Sequence, residues 1–455
     1  MDVEDPMLVE TKKVKQYIAA ICVSLGAVCT GSVLAWTSPV IPQLEEQNIL
    51  TEAQSGIVGS MVPFGALVAA LPAGYLAEKY GRTKTILGLV IPFLINWVLI
   101  LLNNGPFMLY VARFFAGIAA GAMCVCAPMY IGEISQASIR GSLGSFFQMF
   151  ICAGILSSYL LGAFLNWFWM SFVLASFPFI FAACFYFMPE TPVYLVKQGL
   201  MGRAEEVLKY FRGEQYKNAE RELLEINSYI KESQEKTSNL RDLFTSKANR
   251  KAVLSGVGIM FFQQFSGINA VIFYTGAIFG SASDAISPDL SSIIVGIVQL
   301  ISAYVSVMII ERANRKFYLK LSSVGMAVCL MSLGLYFHLT HSKVTFAGLG
   351  ILPLASIVFY IIFFSMGFGP VPWMIMSELF APEIKALATG LAVMTNWLCA
   401  FAVTLTFPIL NVQLGAHVTF YLFCAIMNIG TIFVQLVIPE TKGKSLKEIQ
   451  EILNR

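Results

Sequence analysis

The sequence predicts an all-α membrane protein with twelve membrane-spanning helices in two similar six-helix halves. Hydrophobic residues make up 57% of its 455 residues and charged residues only 13%, whereas soluble domains have roughly 45–50% and about 25%. The hydrophobic residues fall in long segments, and one helix needs about 20 of them to cross a bilayer. A set of charged motifs also occurs twice along the chain. Composition and segment length predict the membrane helices, and the repeated motifs predict the two halves.

Segments long and apolar enough to form membrane helices occur six times before residue 189 and six times after residue 250. In the first half they cover residues 17–40, 55–77, 85–102, 107–132, 139–165 and 167–188. In the second half they cover residues 252–280, 291–310, 318–337, 346–377, 384–410 and 417–438. We therefore expect an N-terminal tail at 1–16, a six-helix bundle at 17–188, a linker at 189–250, a second bundle at 251–438 and a C-terminal tail at 439–455.

The linker is polar, but apolar residues recur in it at helical spacing. Ala204, Val207, Leu208 and Phe211 fall on one face of a helix with 3.6 residues per turn. We expect short amphipathic helices in the linker that pack under the membrane bundle.

Basic residues cluster at alternate ends of the apolar segments, which predicts the orientation in the membrane. They precede the first segment and follow the second, eighth and twelfth, as Lys13, Arg82, Lys316 and Lys442 illustrate, whereas Glu45 follows the first. Because Lys and Arg remain on the cytoplasmic side, we expect both termini and the linker in the cytoplasm. The plasma membrane is the default location. The net charge of only +3 gives no reason to expect a nucleic-acid partner.

The charged motifs recur at nearly one period. Glu78 and Arg82 correspond to Glu311 and Arg315, Glu133 and Arg140 to Glu378 and Lys385, and the Pro-Glu-Thr at Pro189 to that at Pro439. The offsets are 233, 245 and 250 residues (311 − 78, 378 − 133 and 439 − 189). The same features in the same order indicate two homologous halves. In a membrane protein this is the plan of an alternating-access transporter.

The charged residues of these motifs are candidates for a gate. Charges at the membrane edge are costly unless they are paired, so we expect ion pairs between helices that hold the two halves together in one conformation and separate in the other. Simple positive-inside topology is the alternative explanation. The candidate gating residues are Glu78, Arg82, Arg113, Glu133, Arg140, Glu190, Glu311, Arg312, Arg315, Glu378, Lys385 and Glu440.

Uncharged amides within the apolar segments are the candidate binding residues. An amide offers both donors and acceptors, as a hydroxyl group does, so these amides favour a neutral polyol as the ligand. The alternative is that they bond membrane helices to one another. Trp373 follows Gly and Pro residues that predict a broken helix, and its ring suits either a sugar face or the bilayer interface. The amides are Gln148, Gln263, Gln264, Asn269, Gln299 and Asn396.

The first apolar segment lacks an acid or a histidine. No Asp, Glu or His occurs between Gln16 and Pro42, and proton coupling requires a titratable group in the pathway. The sequence therefore favours facilitated diffusion, with a proton-coupled symporter and a sensor that binds without transport as alternatives.

The nine cysteines include no CxxC pair and are interpreted as small buried side chains. We expect no cofactor, no metal site and no enzymatic activity. The expected partners are the lipid bilayer and a small neutral ligand, and we expect the monomer to be the functional unit.

Several longer motifs resemble the sugar porter family of the major facilitator superfamily along nearly the whole chain. They are GYLAEKYGRTK, RFFAGIAAG, PMYIGEISQASIRG, PETPVYL, QQFSGIN, GFGPVPWMIMSELF and PETKGKSLKEI. The segment GSVLAWTSPVIPQL resembles insect facilitated trehalose transporters and class III facilitative glucose transporters. The resemblance implies the major facilitator fold and the transport of a hexose or trehalose.

The resemblance also implies roles for single residues. The six amides and Trp373 match sugar-contacting positions of the family, and Ile151 matches an apolar wall of the site. Cys29 stands near the position where proton-coupled members carry an Asp. Lys385 replaces the family's usual Arg, so bidentate pairing with a carboxylate is lost there, and Tyr194 also stands where an Arg is common. The residues that match cytoplasmic ion-pair positions of the family are Glu133, Arg140, Glu311, Arg315 and Glu378.

Overall fold

The computed structural model describes residues 12–136, 138–214, 216, 218–235, 240–281, 287–310, 312–344, 349–381, 384–444 and 446–454. Within these ranges, 12 helical segments are long and apolar enough to cross a membrane. The predicted number of membrane helices and the all-α class are therefore confirmed.

Shorter helices occur between the long membrane spans along the chain. The first half contains α1 (Val14–Ala35), α2 (Thr37–Glu46), α3 (Glu52–Tyr80), α4 (Arg82–Gly88), α5 (Val90–Leu101), α6 (Pro106–Ile134), α7 (Arg140–Phe164), α8 (Trp167–Leu174) and α9 (Phe177–Phe185). The linker contains α10 (Pro192–Lys197), α11 (Met201–Arg212) and α12 (Ala219–Glu235). The second half contains α13 (Lys247–Phe265), α14 (Ile268–Gly280), α15 (Pro288–Ile309), α16 (Arg315–His341), α17 (Leu352–Met366), α18 (Val371–Leu379), α19 (Lys385–Leu414) and α20 (Ala416–Leu436), and α21 (Leu446–Asn454) follows.

Several membrane spans consist of two consecutive helices because glycine or proline interrupts the backbone hydrogen bonds. Gly267 separates α13 from α14 with a φ of +88°, a left-handed conformation that glycine adopts without steric cost. Gly367 and Gly369 lie between α17 and α18, and Pro370 has no N–H to donate. The broken helix predicted before Trp373 is therefore confirmed.

The linker helices pack on the first half through buried contacts. The side chain of Gln16 at the start of α1 donates to the carbonyl of Phe211 at 3.0 Å and accepts from the backbone N–H of Gln136 at 3.0 Å. Arg212 donates to the carbonyl of Ile134 at 2.7 Å. The start of α1, the end of α6 and α11 therefore meet at one end of the bundle, called here the linker end. The amphipathic helices expected in the linker are present, and their apolar faces form a small core of their own.

The opposite end of the bundle, called here the distal end, holds the first connection between spans. There the backbone N–H of Trp167 donates to the side chain of Gln43 at 2.8 Å. The membrane spans exceed the expected bounds at the linker end, since α1 begins at Val14 and α13 at Lys247. Polar residues can extend a helix beyond the apolar segment, because hydropathy marks only the part inside the membrane.

The cysteines are all unbridged, and most are buried as expected. Cys22 and Cys124 are half-buried, and Cys184 is exposed on α9. The interpretation as small buried side chains was therefore wrong for Cys184, whose helix turns one face away from the protein interior.

Small residues allow α3 and α6 to pack closely. A Cβ atom on Gly117 would lie 2.1 Å from the carbonyl oxygen of Val62, and one on Gly65 would lie 2.2 Å from that of Phe114. Membrane helices associate through such close contacts, because the lipid provides no hydrophobic force between them. Gly132 lies on the same helix as Gly117, but nothing lies within 4 Å of its Cβ position.

We predict that Gly117→Ala destabilises the protein by about 1–3 kcal/mol, because the added methyl group forces α3 and α6 apart. Gly132→Ala is the matched control and should be neutral or stabilising by up to about 1 kcal/mol, since alanine favours the helix. The thermal midpoint of aggregation in detergent measures both variants. Equal midpoints for the two variants would contradict the close packing.

Candidate functional site

The centre of the second half contains a continuous chain of four amide side chains, called here the amide chain. The side-chain N–H of Gln264 donates to Asn396 at 3.0 Å, and that of Asn396 donates to Gln263 at 2.6 Å. The side chain of Asn269 donates to Gln264. Gln263, Gln264 and Asn396 are buried, with relative exposures of 3%, 7% and 3%. The amide chain therefore places donors and acceptors, without charge, inside a membrane protein.

The local sequence explains how these side chains meet. Gln263 and Gln264 occupy the last turn of α13, just before the left-handed Gly267. The turn at Gly267 starts α14 in a new direction and brings Asn269 back toward Gln264. Asn396 reaches the same point from α19.

The amide chain is connected to the broken helix between α17 and α18. The side-chain N–H of Gln263 donates to the carbonyls of Phe368 at 2.6 Å and Gly369 at 3.1 Å. These carbonyls lie in the interruption of the helix, where the regular pattern of backbone bonds is lost. Trp373 follows on α18 and is 41% exposed. The amide chain and the broken helix thus form one hydrogen-bonded unit.

The other predicted binding residues lie on α7 and α15. Gln299 on α15 is buried, and its Oε1 has no hydrogen-bond partner among the described residues. Gln148 on α7 is exposed and contacts the sulfur of Cys152 at 3.8 Å, and Ile151 is buried one turn further along. No described hydrogen bond connects Gln148 or Gln299 to the amide chain. The structure therefore brings Gln263, Gln264, Asn269 and Asn396 together, whereas Gln148, Ile151, Gln299 and Trp373 make no direct contact with one another in the contacts described.

The candidate gating residues of the first half form a buried cluster at the linker end. Arg82 is 1% exposed and binds Glu78 at 2.8 Å and Glu133 at 2.9 Å. A third guanidinium bond reaches the carbonyl of Ala77 at 3.1 Å. The carboxylate of Glu190 accepts the backbone N–H groups of Arg82 and Thr83, both at 3.1 Å. Burial raises the pKa of Glu190, and these backbone N–H groups oppose the rise.

The second half repeats this arrangement with the corresponding residues. Arg315 binds Glu378 at 3.5 Å and donates to the carbonyl of Ile310 at 2.8 Å. Glu440 accepts the backbone N–H groups of Arg315 at 3.0 Å and Lys316 at 3.1 Å. In both halves a Glu of the Pro-Glu-Thr motif therefore caps the start of a membrane helix, while an Arg from that helix binds a second Glu.

Two threonines missed at the sequence level complete these clusters. The hydroxyl of Thr191 donates to Glu133, and that of Thr441 donates to Glu378 at 2.6 Å. Both belong to the Pro-Glu-Thr motifs, so the repeated motif was the available signal. Tyr194 also contributes, because the guanidinium of Arg82 lies 5.3 Å from the centre of its ring.

Arg113 and Arg140 make contacts with other residues than those of the two clusters. The described contacts of Arg113 on α6 are with α1 and not with the cluster of Arg82, which corrects the expectation that it belongs to the same network. It donates to the carbonyl of Val33 and lies 5.0 Å from the ring of Trp36, where α1 ends. Arg140 donates to the carbonyl of Ser135 at 3.2 Å. Arg312 lies three residues before the start of α16, and Lys385 is the first residue of α19. Glu311 lies outside the described residues.

Hydrogen bonds join the two halves toward the distal end. The hydroxyl of Tyr159 on α7 donates to the carbonyl of Ile272 on α14 at 2.9 Å. The backbone N–H of Gly276 on α14 donates to the hydroxyl of Ser38 on α2 at 2.9 Å. A Cβ atom on Gly276 would lie 2.5 Å from the carbonyl oxygen of Ser38, so α2 and α14 are in close contact. Nothing in the sequence marked Tyr159 or Ser38, because their role depends on which helices meet.

The protein is similar to trehalose transporters of insects. The facilitated trehalose transporter Tret1-1 of Drosophila sechellia is 39% identical over 440 residues, which cover 96% of this chain and 51% of that relative. The facilitated trehalose transporter Tret1 of Culex quinquefasciatus is 37% identical over 444 residues, which cover 96% of this chain and 85% of that relative. This chain thus spans about half the length of the first relative.

The fold is also similar to that of a solved transporter. A partially occluded inward-open structure of the xylose transporter XylE from E. coli aligns with a TM-score of 0.81 and 25% identity, covering 95% of this chain and 100% of XylE. The family model for the sugar (and other) transporter family matches residues 14–453. That match includes both bundles, the linker and both copies of the charged cluster. The chain therefore belongs to the sugar (and other) transporter family, with the major facilitator fold of a multi-pass membrane protein.

Proposed function

We propose that this protein is a facilitative carrier that moves a neutral sugar across the membrane by alternating access. The observation that carries the proposal is the buried amide chain of Gln263, Gln264, Asn269 and Asn396. Each amide both donates and accepts, as each sugar hydroxyl does. Because the four amides are hydrogen-bonded to one another, a sugar binds here by replacing amide–amide hydrogen bonds with amide–hydroxyl hydrogen bonds.

The uncharged character of the site matches the proposed substrate. Gln299 offers a buried oxygen without a described partner, and a sugar O–H group would supply the missing donor. Gln148 on α7 is exposed, and Trp373 on α18 is partly exposed, so both side chains are accessible for contact with a sugar. We place the sugar between α7 of the first half and the amide chain of the second.

Uniport is favoured over proton coupling by the surroundings of Arg113. Its guanidinium meets a backbone carbonyl and the ring of Trp36, and no acid or histidine occurs between Gln16 and Pro42. Proton coupling requires a group in the pathway that binds and releases a proton. Cys29 does not substitute for it, because a buried thiol remains protonated.

The conformation described here is best interpreted as open toward the linker end. The bonds of Tyr159 and Ser38 join the halves toward the distal end, whereas the described ion pairs of Arg82 and Arg315 stay within one half each. The likeness to inward-open XylE supports this interpretation. In the opposite conformation we expect the charged residues at the linker end to pair between the halves, as the gate hypothesis requires.

The same basic clusters that suggest a gate also suggest the orientation. Lys and Arg concentrate at the linker end, so we propose that this end, both termini and the linker face the cytoplasm. The plasma membrane is the proposed location. The trehalose transporters among the relatives make trehalose the first candidate substrate and a hexose the second.

We predict that Gln264→Ala lowers the apparent affinity for sugar by about 5- to 150-fold, because a buried bond worth about 1–3 kcal/mol is lost. Uptake of labelled trehalose and glucose into proteoliposomes measures the effect, and competition between the two sugars identifies the substrate. Gln413→Ala is the matched control, since this amide is exposed near the end of α19. An unchanged affinity in Gln264→Ala would remove this residue from the site.

We predict that sugar exchange in proteoliposomes that contain only this protein needs no pH gradient and moves no protons. A pH-sensitive dye inside the vesicles and labelled sugar report the two fluxes together. Uptake that occurs only with an imposed proton gradient would refute uniport. Saturable binding without any flux would instead identify a sensor.

We predict that Tyr159→Phe opens the distal end, because it removes the hydroxyl that bonds to the carbonyl of Ile272 and lies 3.2 Å from the hydroxyl of Thr275 in the other half. A net loss of about 0.5–1.5 kcal/mol shifts the two populations roughly two- to tenfold. Spin labels at Asn104→Cys and Gln413→Cys, in a Cys184→Ser background, report the distance between the halves there. Tyr304→Phe, which alters an exposed tyrosine on α15, is the control. A distance distribution in Tyr159→Phe equal to that of the control would contradict this role.

A further inference from the structure

The fold brings the chain's three histidines together, although they lie far apart in sequence. His338 and His341 are in the last turn of α16, and His417 is in the first turn of α20. The ring centroids of His338 and His417 are 5.4 Å apart, and those of His341 and His417 are also 5.4 Å apart. These three residues, called here the histidine cluster, lie at the distal end, away from the amide chain and the charged clusters.

Local backbone geometry produces this cluster. His338 and His341 are three residues apart, so their side chains share one face of α16. Gly415 has a φ of +85° and turns the chain between α19 and α20. A Cβ atom on Gly415 would lie 2.9 Å from Cε1 of His417. The absence of a side chain at Gly415 thus lets the ring of His417 fold toward α16.

The spacings of His417 from His338 and from His341 fit coordination of one metal ion. Two imidazoles that bind zinc with Zn–N distances of 2.0–2.1 Å in tetrahedral geometry have ring centroids about 5 Å apart. As the side chains stand, the described residues include no group of three or more His, Cys, Asp or Glu that could hold a metal ion. His338 and His341 are exposed, and exposed side chains change rotamer within nanoseconds. Coordination of one ion by all three imidazoles therefore requires at least a rotation of these side chains.

We propose that the histidine cluster binds a divalent transition-metal ion, with zinc as the preferred ion. Three imidazole ligands and one water complete a tetrahedral zinc site, and imidazole also suits copper and nickel. Calcium and magnesium prefer oxygen ligands, which the three side chains do not offer. With the proposed orientation the site faces outside the cell, where it meets ions directly.

The site is independent of the proposed sugar transport. Both α16 and α20 belong to the second half, so a bound ion links two helices that move as one unit. Metal binding is therefore tested separately from sugar flux. Loss of flux without loss of metal binding would count against the transport proposal alone.

The test is zinc binding by the full-length chain, purified in detergent without a polyhistidine tag. Isothermal titration should show one saturable Zn²⁺ per chain, and X-ray absorption at the zinc edge should show imidazole scattering. His417→Asn should weaken binding by about tenfold or more, since loss of a ligand costs at least as much as loss of its supporting partner. The double variant His338→Gln with His341→Gln should abolish binding.

A matched control separates this site from the exposed thiol. Cys184 is exposed and could bind zinc by itself. Cys184→Ser should leave zinc binding unchanged, because Cys184 lies on α9 and the histidines lie on α16 and α20. A thermal midpoint of aggregation in detergent equal to that of the wild type verifies that each histidine variant is folded. The proposal is overturned if no saturable binding occurs, if His417→Asn binds zinc like the wild type, or if Cys184→Ser removes the binding.

Discussion

Buried polar groups in a membrane protein must find their partners within the protein, because the lipid offers none. The arrangement around Arg82 satisfies this constraint with two carboxylates and one backbone carbonyl. Glu190, next to it, accepts the free N–H groups at the start of α4. The cluster therefore satisfies a buried charge and a helix end together. Because the two halves are similar in sequence, Arg315 and Glu440 make the corresponding hydrogen bonds in the second half.

The same constraint shapes the candidate binding site. Four amides within apolar helices bind one another, and Gln263 also satisfies the carbonyls left free where α17 and α18 separate. Such a network is stable without a ligand, yet each of its bonds can be exchanged for one to a hydroxyl group. Under the proposed function, a sugar that bonds to Gln263 competes with the bonds of this side chain to Phe368 and Gly369. This gives a physical connection between occupancy of the site and the position of the broken helix, through one side chain.

Much of the fold and part of the site could be predicted from the sequence. Hydropathy located the spans, since each must cover the thickness of the bilayer, and the Gly and Pro residues before Trp373 marked a real interruption. The amides stood out because polar residues are rare in such segments. The association of Gln264 with Asn396 across 132 residues depends on the packing of α13 against α19, and no local pattern encodes it. Arg113 could not be assigned from the sequence, because its position in an apolar segment did not reveal that its side chain bonds to the end of α1.

The sequence by itself determined the membrane helices, their repeated order and the chemical character of the site, since these follow from composition, segment length and residue type. Only the tertiary structure decided which helices meet. It joins Tyr159 to α14 across the two halves. It also keeps the described ion pairs of each charged cluster within one half and brings three distant histidines together. The physical reason is that such contacts depend on the crossing of helices remote in sequence. Their crossing is set by the summed packing of many side chains, to which no single motif contributes decisively.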